Sequence, residues 1–526
     1  MAKTTKAQEQ SLESIMWNCR NVLRGTVGGN ETNRDVVMGL VFLKFTGDKF
    51  EKRRAEIQEE YGDVPAFMEK TSFYLSKNIF YLSETSRWSY IVKNASANDI
   101  AVIIDTAMKD IEDRNPTLKG ALPQNRYTTL SAIRPEQLKS LIDEVNKIDE
   151  KRFHEKDLIG RVYEYFLQVF AIDSGTGNEK GEFYTPASIV QLIAEIIEPY
   201  SGVVYDPCCG SAGMFVSSIK FVERHNGDRL KVSVVGQERT PETWRLAKMN
   251  LAIRGISHNL GGRPESTFAE DLHRDKKVDF IMANPPFNLK LNAQGVTQDK
   301  LNGDPRWDGY PAPPVSNANY AWILHMLSKL DVTNGVAGFL LANGALNASG
   351  VEGDIRKELV ENDKVEAIIV LPREMFYSTD ISVTLWIINN NKKARSLNGR
   401  QLRDRQDEVL FIDLRRWNEN IYEKKYVQFS DEQIADVKKI YNNWQTGDGY
   451  ADVPELCKSA TKAEIAAQKY SLAPSKYIEF IDHDMEIDYA AEMTQIQSEV
   501  RAIVQEERKT LAMLESAFGG VGYELN

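Results

Sequence analysis

The run Asn284-Pro285-Pro286-Phe287 is where residue types and spacing most directly suggest chemistry. An exocyclic aromatic amine is a weak nucleophile because its lone pair is conjugated with the ring. Two acceptors, one on each N–H, draw such a nitrogen toward tetrahedral geometry and aim the lone pair at an electrophilic methyl group. The Asn284 side-chain oxygen is one acceptor. The Pro285 carbonyl is the other, left without an intrastrand donor because consecutive prolines end a strand and Pro286 has no N–H. Phe287 offers a flat face to a base that leaves its duplex to reach the pocket. No covalent intermediate is needed, since positioning and hydrogen bonding carry the rate. Apart from its surroundings, the same tetrapeptide also reads as a strand-ending turn with a buried phenylalanine.

A methyl donor needs its own cradle, and three upstream segments are candidates. A short apolar run ends in Asp206-Pro207-Cys208-Cys209-Gly210-Ser211-Ala212-Gly213, followed by a helical pattern. Such a small-residue turn lets backbone N–H groups meet an anionic group, here the carboxylate of S-adenosylmethionine. It is neither G-x-G-x-x-G nor a Walker A loop, which weighs against dinucleotides and nucleoside triphosphates. The next apolar run ends in Glu238, whose carboxylate can accept both ribose hydroxyls, though Thr240-Pro241-Glu242 also makes it a helix-entry acid. Asp271 is the candidate for the adenine amine of the cofactor, with a solvated loop acid as the alternative.

The elements that must hold these residues read as α/β. Apolar, β-rich runs at 203–205, 232–235, 280–283, 336–341, 367–371 and 383–388 alternate with helical segments. A weaker strand near 267–269 completes an expected seven-stranded, mostly parallel, Rossmann-like sheet. Residues 1–154 read as a helical domain, with Leu12, Ile15, Met16, Cys19 and Val22 at helical spacing and a turn-prone stretch at 28–33. Residues 155–420 form the expected catalytic domain, opening on a helix at 155–171 and a loop at 173–177. Residues 421–526 form a helical region for subunit assembly. Its last part carries Met493, Ile496, Val500, Ile503, Leu511 and Leu514 at 3–4 spacing, a narrow seam that suits a helix packed on its own chain or on another subunit. The Gly-, Pro- and Asn-rich stretch 288–319 is too long for an ordinary connection and is expected to be a lid or disordered.

Composition narrows the class. The 526 residues carry 65 Lys and Arg against 76 Asp and Glu, a net charge of −11. DNA binding needs clustered cations, so a DNA enzyme of this charge requires a partner with basic surface. Four cysteines, two of them adjacent, build neither a disulfide framework nor a paired C-x-x-C zinc site, and no metal is expected. The polar start and the lack of a long apolar run lead us to expect no membrane span and a cytoplasmic location.

Taken together, these residues resemble the modification (M) subunits of type I restriction–modification systems, γ-class adenine-N6 DNA methyltransferases. Gly181-Glu182-Phe183-Tyr184-Thr185-Pro186, followed by Ala187, is similar to the family's motif X, which wraps the methionine end of the cofactor. Residues 206–215 are similar to its motif I, Glu238 to its motif II acid and 284–287 to its motif IV. Cys208 and Ala212 stand where Ala and Gly are frequent, and the Cβ of Ala212 narrows the approach. The resemblance implies S-adenosylmethionine as cofactor and adenine N6 in DNA as substrate. It also implies two copies of this chain on one specificity (S) subunit, with a separate restriction (R) subunit. A methyltransferase acting on a protein glutamine or an RNA amine is the alternative, since these also present a conjugated NH2. A silent assembly protein that keeps the fold is a third reading, opposed by the intact Asp206, Glu238 and Asn284.

Overall fold

The computed structural model describes residues 10–23, 29–129, 133–153, 158–173, 185–376, 382–422, 426–481 and 489–520. The chain divides into two compact units, Met1–Asp452 with Leu456–Tyr477, and Val453–Glu455 with Ile478–Asn526.

In the first unit, the N-terminal third is helical. Helices α1 (Leu12–Val22), α2 (Gly29–Tyr61), α3 (Ile100–Arg114), α4 (Pro135–Asn146) and α5 (Leu158–Asp173) bury one face each into a shared apolar core. Ser11 caps α1, accepting from the Ser14 N–H, and Pro135 opens α4 where a missing N–H costs nothing. The expected turn at 28–33 is helix from Gly29 onward. Neighbouring apolar residues such as Val36, Val37 and Leu40, all buried, draw its polar first turn into the helix.

The second core is built on a nine-stranded sheet. Its strands are β1 (Gly202–Asp206), β2 (Val232–Gly236), β3 (His258–Asn259), β4 (Phe280–Ala283), β5 (Val336–Ala342), β6 (Val365–Val370), β7 (Val383–Asn389), β8 (Glu408–Asp413) and β9 (Cys457–Thr461). They lie in the order β9-β8-β6-β7-β5-β4-β1-β2-β3. Only β7 and β9 run against the rest. All six main apolar runs of the sequence are strands here, but the count of seven is corrected to nine. The weak strand at 267–269 is a turn, and the third strand is the two-residue β3. The additions, β8 and β9, continue the sheet beyond β6.

Alternation along the strands splits the sheet into two faces. Val204, Met282, Leu340 and Ile369 meet Ile189 and Ile193 of α6 (Ala187–Ile197) and residues of α7 (Gly213–Arg224). Gly338 makes the approach of α6 to β5 possible, because a Cβ there would lie 2.9 Å from the Ile193 Cγ2 methyl. On the other face, Tyr205 Oη lies 3.0 Å from His325 Nε2 of α8 (Asn319–Lys329), and Phe339 stacks on Trp386. Toward β8, Arg405 and Glu366 form a fully buried ion pair, Nε to Oε1 at 3.1 Å. Asn389 Nδ2 and Gln445 Nε2 also donate to Glu366, at 2.5 and 3.3 Å.

The 288–319 stretch is ordered, against the expectation of disorder. It holds short helical turns at Leu291–Gln294, Gln298–Asn302 and Pro305–Trp307, and it buries Leu291, Val296, Leu301 and Trp307. Opening it as a lid would bring these apolar side chains to water.

In the second unit, Tyr489–Gly520 is one helix of 32 residues. Met493, Ile496, Val500, Ile503, Leu511 and Leu514 are all exposed along it, Ile503 by 65%. Among the described residues no helix is long and apolar enough to cross a membrane.

Candidate active site

The strand order reverses at β1, which has β2 on one side and β4 on the other. In parallel sheets a crevice opens at such a switch point, outside the carboxyl ends of the strands. β1 delivers residues 206–213, β2 delivers Gln237 and Glu238, and β4 delivers 284–287 to that one edge.

The cradle is held by backbone. Asp206 is buried, and its Oδ1 accepts the Cys208 N–H at 2.9 Å. Burial pushes the Asp206 carboxyl up to about 7, with the charge of Glu238 adding to the effect and the Cys208 hydrogen bonds opposing it. Gly210 adopts φ 53° and donates its N–H to Glu238 Oε2 at 3.1 Å. Glu238 Oε1 accepts the Thr240 N–H at 2.8 Å. A carboxylate accepts several hydrogen bonds, so one acid can serve both the turn and a diol. Ser211 presents its carbonyl to Asn250 Nδ2 at 2.8 Å. Ala212 sits at φ 71° as the residue before α7, a left-handed conformation that costs an alanine roughly 1 kcal/mol. Beside Gly210 and Gly213 nothing lies within 4 Å of where a Cβ would stand. That open space is what a ligand needs to approach the turn closely.

Asp271 sits on the loop after β3. Its Oδ2 pairs with Lys329 Nζ at 2.5 Å, and its Oδ1 accepts the His273 N–H at 3.0 Å. The loop is tied to the cradle by Gln237, a residue that the sequence reading passed over. Gln237 is fully buried, donates to the carbonyls of Glu265 and Glu270 at 3.1 and 2.7 Å, and accepts from the Leu272 N–H at 3.1 Å. Its only signal was a polar amide directly after an apolar strand.

At the end of β4, Asn284 Nδ2 donates to Thr185 Oγ1 at 2.9 Å. Asn284 Oδ1 is buried and has no hydrogen-bond partner. A buried amide oxygen left unpaired costs about 1–3 kcal/mol, a cost expected where a substrate N–H completes the pair. Phe287 is half-buried and meets Phe376 edge to face, with centroids 6.2 Å apart. Thr185, Pro186 and Ala187 lead into α6, and Pro186 occupies its cap. Ser188 Oγ, buried and without a partner, adds a hydroxyl in the first turn of α6 that the sequence reading did not name. Glu182, Phe183 and Tyr184 lie outside the described residues.

Comparison with known proteins places this geometry. The N-6 DNA Methylase family model matches residues 154–485, and the HsdM N-terminal domain model matches residues 12–145. The type I restriction enzyme HindI methylase subunit of Haemophilus influenzae is 38% identical over 81% of this chain and 93% of that protein. The MjaIX methylase subunit of Methanocaldococcus jannaschii is 33% identical over 97% of this chain and 91% of that protein. Among solved structures, a type I restriction–modification methyltransferase subunit from Streptococcus thermophilus shares the fold, with a TM-score of 0.69 at 23% identity over 88% of this chain and 98% of that one. The chain belongs to the N-6 DNA methylase family.

Proposed function

We propose that this chain is the modification subunit of a type I restriction–modification enzyme and transfers a methyl group to adenine N6 in DNA. The observation that carries this reading is Asn284, with its amide nitrogen engaged by Thr185 and its buried oxygen unpaired at the switch point.

S-adenosylmethionine fits the donor set of the cradle and, when bound, supplies an electrophilic sulfonium methyl. Glu238 would hold the ribose diol, Asp271 and its loop would meet the adenine, and the 206–213 turn with Thr185–Ala187 would hold the methionine end. Asn284 Oδ1 and the Pro285 carbonyl accept the two N–H bonds of the target amine, Pro286 keeps that carbonyl from being turned into a helix, and Phe287 stacks on the base.

We further assign residues 1–154 to a helical domain, 155–420 to catalysis and 421–526 to assembly, although β9 within the last span is folded onto the sheet. The net charge of −11 supports a specificity partner that supplies basic surface and selects the sequence, with two copies of this chain per specificity subunit and a restriction subunit beside them. The complex works in the cytoplasm, where the DNA is.

Modification-sensitive sequencing of DNA from cells that express the chain with and without its specificity partner tests the reading. N6-methyladenine at one defined sequence, present only with both chains, is the expected result. Methylation of RNA or protein with unmodified DNA would overturn it.

A further inference from the structure

We propose that Arg306 is a positioning residue for methyl transfer, tying the excursion that follows the catalytic motif to the cofactor cradle. Its side chain is 12% exposed and is gripped by Asp304, Nε to Oδ1 and Oδ2 at 2.9 and 3.0 Å and Nη2 to Oδ2 at 2.5 Å. The rings of Trp307 and Phe268 flank the guanidinium, with centroids 4.9 and 5.6 Å away. A charge this withdrawn from water is costly unless every donor is used.

Two routes lead from its Nη1 to the end of β1. In the first, Nη1 donates to the Thr267 carbonyl at 2.8 Å, and the Thr267 hydroxyl donates to the Pro207 carbonyl at 2.5 Å. In the second, Nη1 lies 3.2 Å from His325 Nδ1. A guanidinium only donates, so Nδ1 is the acceptor. Burial, reinforced by the charge of Arg306, holds His325 well below its ordinary pKa. The neutral ring therefore carries its proton on Nε2 and donates it to Tyr205 Oη at 3.0 Å. Tyr205 and Pro207 flank Asp206.

The excursion begins directly after Phe287, and its two ends are joined where the Asn288 N–H donates to Asn319 Oδ1 at 3.0 Å. The base side and the cofactor side of the crevice thus share one guanidinium. Lysine keeps the charge but cannot reproduce the planar fork or its stacking.

The inference rests on the cofactor placement proposed above, so Glu238→Ala serves as its control. Binding of S-adenosylmethionine to the full chain is measured by calorimetry. Arg306→Lys should raise Kd about tenfold and Thr267→Val about threefold, while the double variant stays near tenfold because the Thr267 route is one of the two that run through Arg306. In turnover with DNA and the specificity partner, the loss should fall on KM for the cofactor and not on KM for DNA. Parental Kd in both single variants, or a double variant weakened by the full product of about thirtyfold, would overturn the proposal. If Arg306→Lys does not fold, Thr267→Val alone decides, and a parental Kd sinks it. Parental binding by Glu238→Ala would instead overturn the cofactor placement itself.

Discussion

The Asn284 amide nitrogen donates to the Thr185 hydroxyl at 2.9 Å, joining two segments 99 residues apart. The bond fixes which way the amide faces. With the nitrogen held by Thr185, the oxygen is the atom left for the target amine that we propose it binds.

Asn284→Ala should therefore lower the single-turnover rate of methyl transfer by about 10²–10³, as for removal of one preorganised transition-state contact, with little change in cofactor Kd. Thr185→Val keeps the acceptor but frees its orientation, and a loss of about tenfold in rate is expected. Equal rates for Thr185→Val and the parent would show that the hydroxyl does not orient the amide. Both are read by radiolabelled methyl incorporation into DNA.

Glu238 holds the turn through the Gly210 and Thr240 N–H groups and is the proposed ribose acceptor. Glu238→Gln retains the shape and an acceptor but loses the charge, and should weaken cofactor binding about tenfold. Glu238→Ala leaves the Gly210 and Thr240 N–H groups without their acceptor and should cost more, on the order of a hundredfold. Calorimetry on the full chain measures both, and an unchanged Kd for the alanine variant contradicts the assignment.

The raised pKa of Asp206 sets a pH dependence with a definite sign. Between its unfolded value near 4 and its folded value of about 7, the folded chain binds the proton and the unfolded chain releases it. The contribution of Asp206 to stability therefore falls as pH rises through this window and is level above it. Asp206→Asn keeps an acceptor for the Cys208 N–H and removes the titration. Relative to the parent, it should gain stability from pH 5 to pH 8, by up to a few kcal/mol in denaturant melts. A constant difference between the two proteins across that range would refute the assignment.

The Arg405–Glu366 pair lies at β6, separated from β4 by β7 and β5. Arg405→Met leaves Glu366 buried with only neutral donors, and should destabilise the fold by about 3–5 kcal/mol. Chemical denaturation monitored by tryptophan fluorescence would show it. A loss below about 1 kcal/mol would refute the weight given to this pair.

The central strands were legible because they are continuous apolar runs buried on both faces, and Asn284 and Glu238 because they stand at the ends of such runs. β3 was not, since His258 and Asn259 carry no apolar signal and owe their strand geometry to pairing with Val234 and Val235. Residues 267–269 look like a strand through Thr267 and Phe268. Their backbone instead turns to serve Arg306, and the Thr267 hydroxyl bonds to Pro207. β9 hid for a similar reason, Cys457–Thr461 being half polar and shaped by its neighbour β8. The excursion at 288–319 gave no helix or strand signal because its buried apolar residues, Leu291, Val296, Leu301, Trp307 and Ala318, follow neither period. The acceptor role of Asn284 could be inferred from its type, but its tether to Thr185 is a tertiary contact that no local pattern announces.

The 32-residue helix Tyr489–Gly520 runs about 48 Å with its apolar stripe open to water. A stripe of this kind left uncovered is a target for chaperones and proteases, so whatever covers it would lengthen the life of the chain. Where the specificity subunit proposed above is what covers it, the cellular level of this chain should follow the supply of that subunit. Pulse-chase half-lives with and without the specificity subunit would measure the difference.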